Sequence, residues 1–363
     1  MNRDHKNTEK YFTALEEIAQ ENYERNFRKK AAAEFSEYVN NLAQDFESLY
    51  KNAKADRVKE IITNPQIFEE LMPQMQPLQL ANFLGGAKKF FKKNDLQKSS
   101  IECLRDSFLN ALFSEKPSEI SEGFANLAQM EFTKEDFGNL DQKQIARAVN
   151  KILAIENTFD ISSTLCGLLN FGFIDRNFLN FLVIPSFKKQ EMSYSHDFAA
   201  FYSLLRFEFY CQKILGTNFF SEEFVKKIAA EIPKKNTDNV KSELQKGIAH
   251  FLQIQSGCEV FEEVMQNFYG APILETDIVL YKDDAKFFIE VDGPSHFYEN
   301  EKDEYFLTHK TIVRNQMYEA LVREKVENGD KIFFVNLPFF EIRKANRENS
   351  LGKYLEEKLG VNF

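Results

Sequence analysis

Tryptophan is absent from the 363 residues, cysteine occurs only four times, proline nine and glycine fourteen. So little glycine and proline excludes a collagen-like or low-complexity chain. No uninterrupted apolar run approaches the roughly 18 residues that a membrane-spanning helix needs, so no membrane partner is expected. Cys103, Cys166, Cys211 and Cys258 lie more than forty residues apart. That spacing excludes CxxC and zinc-ligand motifs and a disulfide-stapled scaffold, and suits free thiols in a reducing compartment. Met1-Asn2-Arg3-Asp4-His5-Lys6 lacks the apolar core of a secretory signal, and the early acids do not suit a transit peptide, so a cytoplasmic location is expected. Nothing calls for a nucleotide cofactor, and Ser193-Tyr194-Ser195-His196 lacks the elbow glycines of a serine hydrolase.

What is present is apolar and acidic. Hydrophobic residues make up 43%, with 38 Phe, which excludes a disordered chain. The net charge of −10 argues against non-specific binding of a polyanion. That charge is uneven, however. Residues 251–300 hold ten Asp and Glu against two Lys and Arg, whereas residues 51–100 hold nine basic against five acidic, with Lys88, Lys89, Lys92 and Lys93 together. Those four lysines are candidate nucleic-acid contacts.

The length suggests about two domains. From Tyr11 to Tyr50 apolar residues recur at helical steps (Phe12, Leu15, Ile18, Ala19, then Phe35, Tyr38, Leu42, Phe46, Leu49), and Pro65, Pro73 and Pro77 end this segment near Met75. A self-similar pattern follows, apolar at i, i+4, i+7, i+8 and i+12. Ile120, Phe124, Leu127, Ala128 and Phe132 fill it, as do Ile161, Leu165, Leu168, Leu169 and Phe173. Phe201, Leu204, Leu205 and Phe209 fill four slots, with Asp197 in the first, and Leu80, Leu84 and Ala87 fill fewer. Leu96, Phe137 and Phe178 are placed to begin a second helix in each unit. A period near 40 built from helix pairs predicts an α-solenoid over 76–238, with a non-repetitive helical bundle as the alternative.

The texture changes near residue 255. Thr276–Tyr281 and Lys286–Asp292 are β-rich runs joined by Lys282-Asp283-Asp284-Ala285, a hairpin. A helix over about 308–327, closed by Asn328-Gly329, a strand over 331–337 and a helix over 351–359 complete the chain. The predicted fold is α + α/β: a helical array, a small α/β domain over 239–345 and a C-terminal helix over 346–363. A symmetric turn sets Asp277 opposite Glu290, with Asp292 two residues along the same face. Two like charges about 4 Å apart cost roughly 4 kcal/mol at an effective dielectric near 20. A divalent cation, a raised pKa, or Lys and Arg from elsewhere must offset that. Gly293-Pro294 then brings His296 to the same edge, and Lys310 and Arg314 share a helix face. Asp277, Glu290 and Asp292 as Mg²⁺ ligands, with His296 and Lys310 beside them, would suit metal-assisted phosphodiester chemistry. The same parts would suit a site that grips phosphate through Lys and Arg held by the acids, or a purely structural cluster.

Ile289-Glu-Val-Asp-Gly-Pro-Ser-His-Phe297, with Thr276-Asp-Ile-Val before it and Phe333-Phe-Val-Asn-Leu-Pro-Phe-Phe-Glu341 after it, resembles a RAP domain over about 240–345. That family is related to very-short-patch-repair endonucleases of the PD-(D/E)XK superfold. The resemblance implies a restriction-endonuclease-like module following octotricopeptide-type helical repeats, in a protein acting on RNA, of an organelle or of a bacterium that lives in or delivers proteins to a host cell. It assigns Asp277, Glu290, Asp292 and His296 to the nuclease-like acidic cluster. Two positions depart from the pattern: Asp292 stands where the (D/E)XK lysine would fall, and Ile342 where an aromatic residue usually closes the RAP motif. The leading expectation is an RNA-binding protein, with Asn82, Asn126, Asn170 and Arg206 as candidate contacts on the repeats. A metal-dependent nuclease and a protein-interaction solenoid are the alternatives. His5, His196, His250 and His309 have no metal-like partners in sequence.

Overall fold

The computed structural model describes residues 24–37, 62–138, 140–155, 157–185, 198–233, 241–255, 258–299 and 304–363. Of the predicted N-terminal segment only 24–37 and the chain from 62 onward are described. His5, Ser193–His196 and Asp197 lie outside the described residues. The chain divides into two compact units, Met1–Ile152 and Leu153–Phe363.

The first unit is helical: α1 (24–37), α2 (Pro65–Leu71), α3 (Pro77–Ala87), α4 (Lys98–Leu112), α5 (Gly123–Gln129) and α6 (Gln142–Leu153), which closes it. Pro65 and Pro77 sit in the first turns of α2 and α3, where a missing N–H costs nothing. Its core is phenylalanine meeting phenylalanine edge-on: the Phe108 ring lies 4.9 Å from Phe124 and 5.8 Å from Phe137. Such a core has no indole or phenol to satisfy, which suits a chain rich in Phe and free of Trp. Gly123 lets the helices approach, because a Cβ there would collide with Phe108.

The middle positions of the apolar template fall on helices, whereas Ile120 closes a 3₁₀ turn before α5, and Phe132 and Phe173 follow α5 and the helix Thr158–Phe171. Leu80, Leu84, Ile120, Phe124 and Leu127 are buried in the first unit, and Ile161, Leu165, Leu168, Phe201, Leu204 and Leu205 in the second. Leu96 and Phe137 fall in or beside short 3₁₀ turns that precede α4 and α6, not in the helices themselves. Backbone and side-chain ties span about one interval of the pattern. In the first unit the Lys93 amide donates to the Met130 carbonyl at 2.8 Å. In the second, the Cys166 thiol donates to the Ser203 carbonyl at 3.1 Å and Arg176 to the Leu215 carbonyl.

The second unit begins with α7 (Thr158–Phe171), α8 (Arg176–Leu179), α9 (Phe198–Lys213), α10 (Glu222–Glu231) and α11 (Glu243–Gln253). A mixed sheet follows, ordered β1-β2-β3-β6: β1 (Glu259–Phe268), β2 (Ala271–Lys282), β3 (Ala285–Asp292) and, parallel to β3, β6 (Ile332–Pro338). Between β3 and β6 run a two-stranded ribbon, β4 (Phe297–Glu299) with β5 (Tyr305–Leu307), and helix α12 (His309–Glu327). Helices α13 (Phe339–Arg347) and α14 (Leu351–Leu359) end the chain. The helices α7 and α9 pack on α12, and α9 also on β2, so this unit joins its own helices to the α/β module.

Period-two alternation gives the sheet two different faces. Ile278, Leu280, Phe287, Ile289, Val291 and Leu337 point into an apolar core with Ile248 and Leu252 of α11, Ile342 of α13, and Leu355 and Leu359 of α14. Ile342 is fully buried there, so this position is filled by an aliphatic core residue. The opposite face carries Glu290 and Asp292, and it meets α12.

Candidate functional site

The hairpin register matches the expected one: Ile278 pairs with Ile289 and Lys282 with Ala285. The loop proper is two residues, Asp283 and Asp284, both left-handed at φ 49° and 62°, a conformation that suits the twist of a tight hairpin. This register brings Asp277 beside Glu290. The Val291 amide donates to Asp277 Oδ2 at 2.8 Å, and the Asp277 amide to Glu290 Oε1 at 3.3 Å.

The charge opposing these acids comes from α12. Thr308 caps the helix, its hydroxyl accepting from the Thr311 amide. Thr311, Asn315 and Tyr318 then face inward as buried residues, so the side toward the sheet is polar. Arg314 lies on that side. Its Nη1 is 2.9 Å from Glu290 Oε2, and its Nη2 is 2.6 Å from Asp292 Oδ1 and donates to Asn315 Oδ1 at 3.0 Å. A planar guanidinium can bridge two carboxylates in this way, whereas an ammonium presents a point charge. Tyr318 donates to the Glu275 carbonyl at 2.8 Å, and its ring stacks on Phe334 at 4.7 Å.

Burial dominates the electrostatics. It pushes the Glu290 carboxyl up to about 8 against the pull of Arg314, with Asp277 and Asp292 adding to the rise. Asp277 is pushed up to about 6 for the same first reason, while the Val291 amide and Arg314 oppose. His296 has its Nδ1 3.3 Å from both Arg314 Nη1 and Thr311 Oγ1 and 3.4 Å from Asp292 Oδ1. Burial and Arg314 lower its pKa, which favours the neutral imidazole. Desolvation, then the cations Arg206 and Arg314, lower Lys310 as well, although the residue is exposed and solvent screens the effect.

Asp277, Glu290, Asp292, His296 and Arg314 therefore converge, with Lys310 at the edge. Arg206, placed by sequence on a repeat helix, belongs to the same neighbourhood: α9 packs against α12, and the Arg206 charge acts on Lys310. Of the three ways to offset the carboxylates, the described residues use a raised pKa and an arginine. No group of three or more His, Cys, Asp and Glu among them is arranged to hold a metal ion. Asp292 Oδ2 is buried with no hydrogen-bond partner among the described residues.

The lysine cluster is a different matter. Lys88 Nζ donates to Asn126 Oδ1 at 2.7 Å, Lys92 to the Gln129 carbonyl, and Lys93 pairs with Asp136 at 2.9 Å. These ammonium groups tie the end of α3 and the turn after it to α5 and to the turn before α6, and Asn126 is a buried acceptor, not an outward contact. Lys89 and Asn82 are exposed, and Asn170 is half-buried. Sequence reasoning missed Thr311, Asn315 and Tyr318. The spacing Lys310, Arg314, Tyr318 on one helix face was the signal available for the last. A scan against protein-family models and a search of curated proteins both return no match. Among the described residues no helix is long and apolar enough to cross a membrane.

Proposed function

We propose that the protein binds RNA through its C-terminal α/β module, with the helical units before it extending the contact. The observation that carries this reading is Arg314 set among Asp277, Glu290 and Asp292, with Lys310 and Arg206 outside it. Burial raises the Glu290 carboxyl to about 8 and so favours its neutral form, which lessens the acid charge set against Arg314 and the neighbouring Lys310 and Arg206. Acids that hold a guanidinium in a fixed orientation make a preorganised phosphate grip. The likeness of the Glu290–His296 string to RAP domains supports RNA as the source of that phosphate. The solenoid arrangement belongs to the same proposal; the ties across about one interval in each unit support it.

Fluorescence anisotropy of the full chain with a labelled single-stranded RNA tests the reading. Affinity falls steeply between about 50 and 200 mM salt, because each neutralised phosphate releases counterions. Lys310→Ala or Arg206→Ala weakens binding and flattens the log–log salt slope by about 0.7 for each phosphate no longer neutralised. Absent or salt-independent binding sinks the proposal in favour of a protein-interaction role. Cleavage in Mg²⁺ or Mn²⁺ that disappears in Asp292→Asn would instead support a nuclease.

A further inference from the structure

We infer that the β4–β5 ribbon is a base-stacking platform for single-stranded nucleic acid beside the Arg206–Lys310–Arg314 cations. This inference rests on the proposed RNA binding and names the form of nucleic acid the site takes.

A ribbon of three residues per strand is not stable on its own. Its inner face is fastened: the Phe297 ring lies 5.2 Å from Phe340, and Tyr305 stacks on Phe340 at 4.7 Å and 12°. Its base is tied by the Thr308 amide, which donates to the His296 carbonyl at 2.9 Å. The opposite face carries the cross-strand pair Tyr298 and Phe306, whose rings stack at 5.4 Å and 19°. Phe306 is 43% exposed and Tyr298 half-buried. Scattered apolar surface residues need no explanation. A fixed aromatic stack held outward on an anchored ribbon is different, because it presents a flat apolar face beside a cationic site.

The placement matches a nucleotide chain. Tyr298 lies two residues after His296, which contacts Arg314, and Phe306 four before Lys310, so at most roughly 14 Å of extended backbone separates either residue from the site. Bases stack on aromatic faces regardless of sequence while the backbone follows positive charge. Duplex bases are already stacked and cannot use such a face. Phosphates then follow the Lys310 and Arg206 side, with bases turned to Tyr298 and Phe306.

The test compares a single-stranded oligoribonucleotide, an abasic phosphodiester of equal length and an RNA duplex on the full chain. The wild type should prefer the base-bearing single strand by about tenfold, which is about 1.4 kcal/mol. Phe306→Ala and Tyr298→Ala should each erode that preference while leaving abasic binding and the salt slope unchanged. Because the chain has no Trp, Phe306→Trp supplies its sole tryptophan, whose emission should be quenched by the base-bearing strand and not by the abasic one. If the wild type binds base-bearing and abasic strands alike, or if Phe306→Ala and Tyr298→Ala keep the preference, the platform is refuted while the phosphate grip stands. If the wild type binds none of the three, both are refuted.

Discussion

Removing the Arg314 guanidinium leaves Glu290 and Asp292 buried without the cation both contact. Arg314→Ala should therefore destabilise the second unit by about 3–5 kcal/mol in urea denaturation. Arg314→Lys should recover only part, since one ammonium cannot reproduce the fork. A larger loss for the lysine variant than for alanine would show that the guanidinium is not what balances the acids. Glu290 makes a second prediction, on pH. A carboxyl raised from its usual value to about 8 in the folded state binds its proton more tightly than in the unfolded chain. Stability from this group is full below the unfolded value and is lost as pH rises from about 4.5 to about 8. Asp277, pushed to about 6, and Glu208, pushed to about 7 by burial, act in the same direction. The depressed His296 acts oppositely, opposing folding as pH falls below its unfolded value. Glu290→Gln, a neutral mimic of the protonated acid, should flatten without abolishing the decline in Tm between pH 5 and 8. A decline as steep as in wild type would show that Glu290 is ionised in the folded protein.

At the hairpin, Asp283 and Asp284 both adopt left-handed backbone, with two like charges adjacent. Asp284→Gly removes the Cβ penalty and one charge and should raise stability by roughly 0.5–1 kcal/mol, read as a shift in urea midpoint; a decrease would mean that the aspartate side chain holds the turn. The hairpin was legible in the sequence because the alternating run on each side of Lys282–Ala285 admits one register that keeps Ile278 and Ile289 inside. Helix α12 was legible through its Thr308 start and Asn328-Gly329 stop. Its orientation was not, because the side facing the sheet carries Thr311, Arg314 and Asn315 where periodicity looks for apolar residues. Strand β1 lacked clean alternation, with Glu263 left-handed within it, and the ribbon strands are too short to show a period. The first helices of the repeat pattern stood out through their buried Phe and Leu. The part played by Lys88, Lys92 and Lys93 did not, since their partners Asn126, Gln129 and Asp136 lie several tens of residues away in sequence.

Over the whole chain, the net charge of −10 is compatible with a polyanion partner because two acids at the site are balanced locally. Glu290 and Asp292 are bound to Arg314, and burial favours the neutral form of Glu290. The two compact units, Met1–Ile152 and Leu153–Phe363, have separate cores: Phe68, Phe83, Phe108 and Phe124 in one, and the sheet packed on α11, α13 and α14 in the other. Separate cores predict separate cooperative opening. Leu104 is wholly buried in the first unit, so Leu104→Ala should cost about 2–5 kcal/mol there. Hydrogen exchange read by mass spectrometry should show peptides covering 98–137 losing protection, while peptides from β2 and β3 exchange as in the wild type. Equal loss of protection in both would mean that the chain opens as a single unit. In that case Arg314→Ala should also expose the helices before Ile152, whereas separate units predict that they keep their protection.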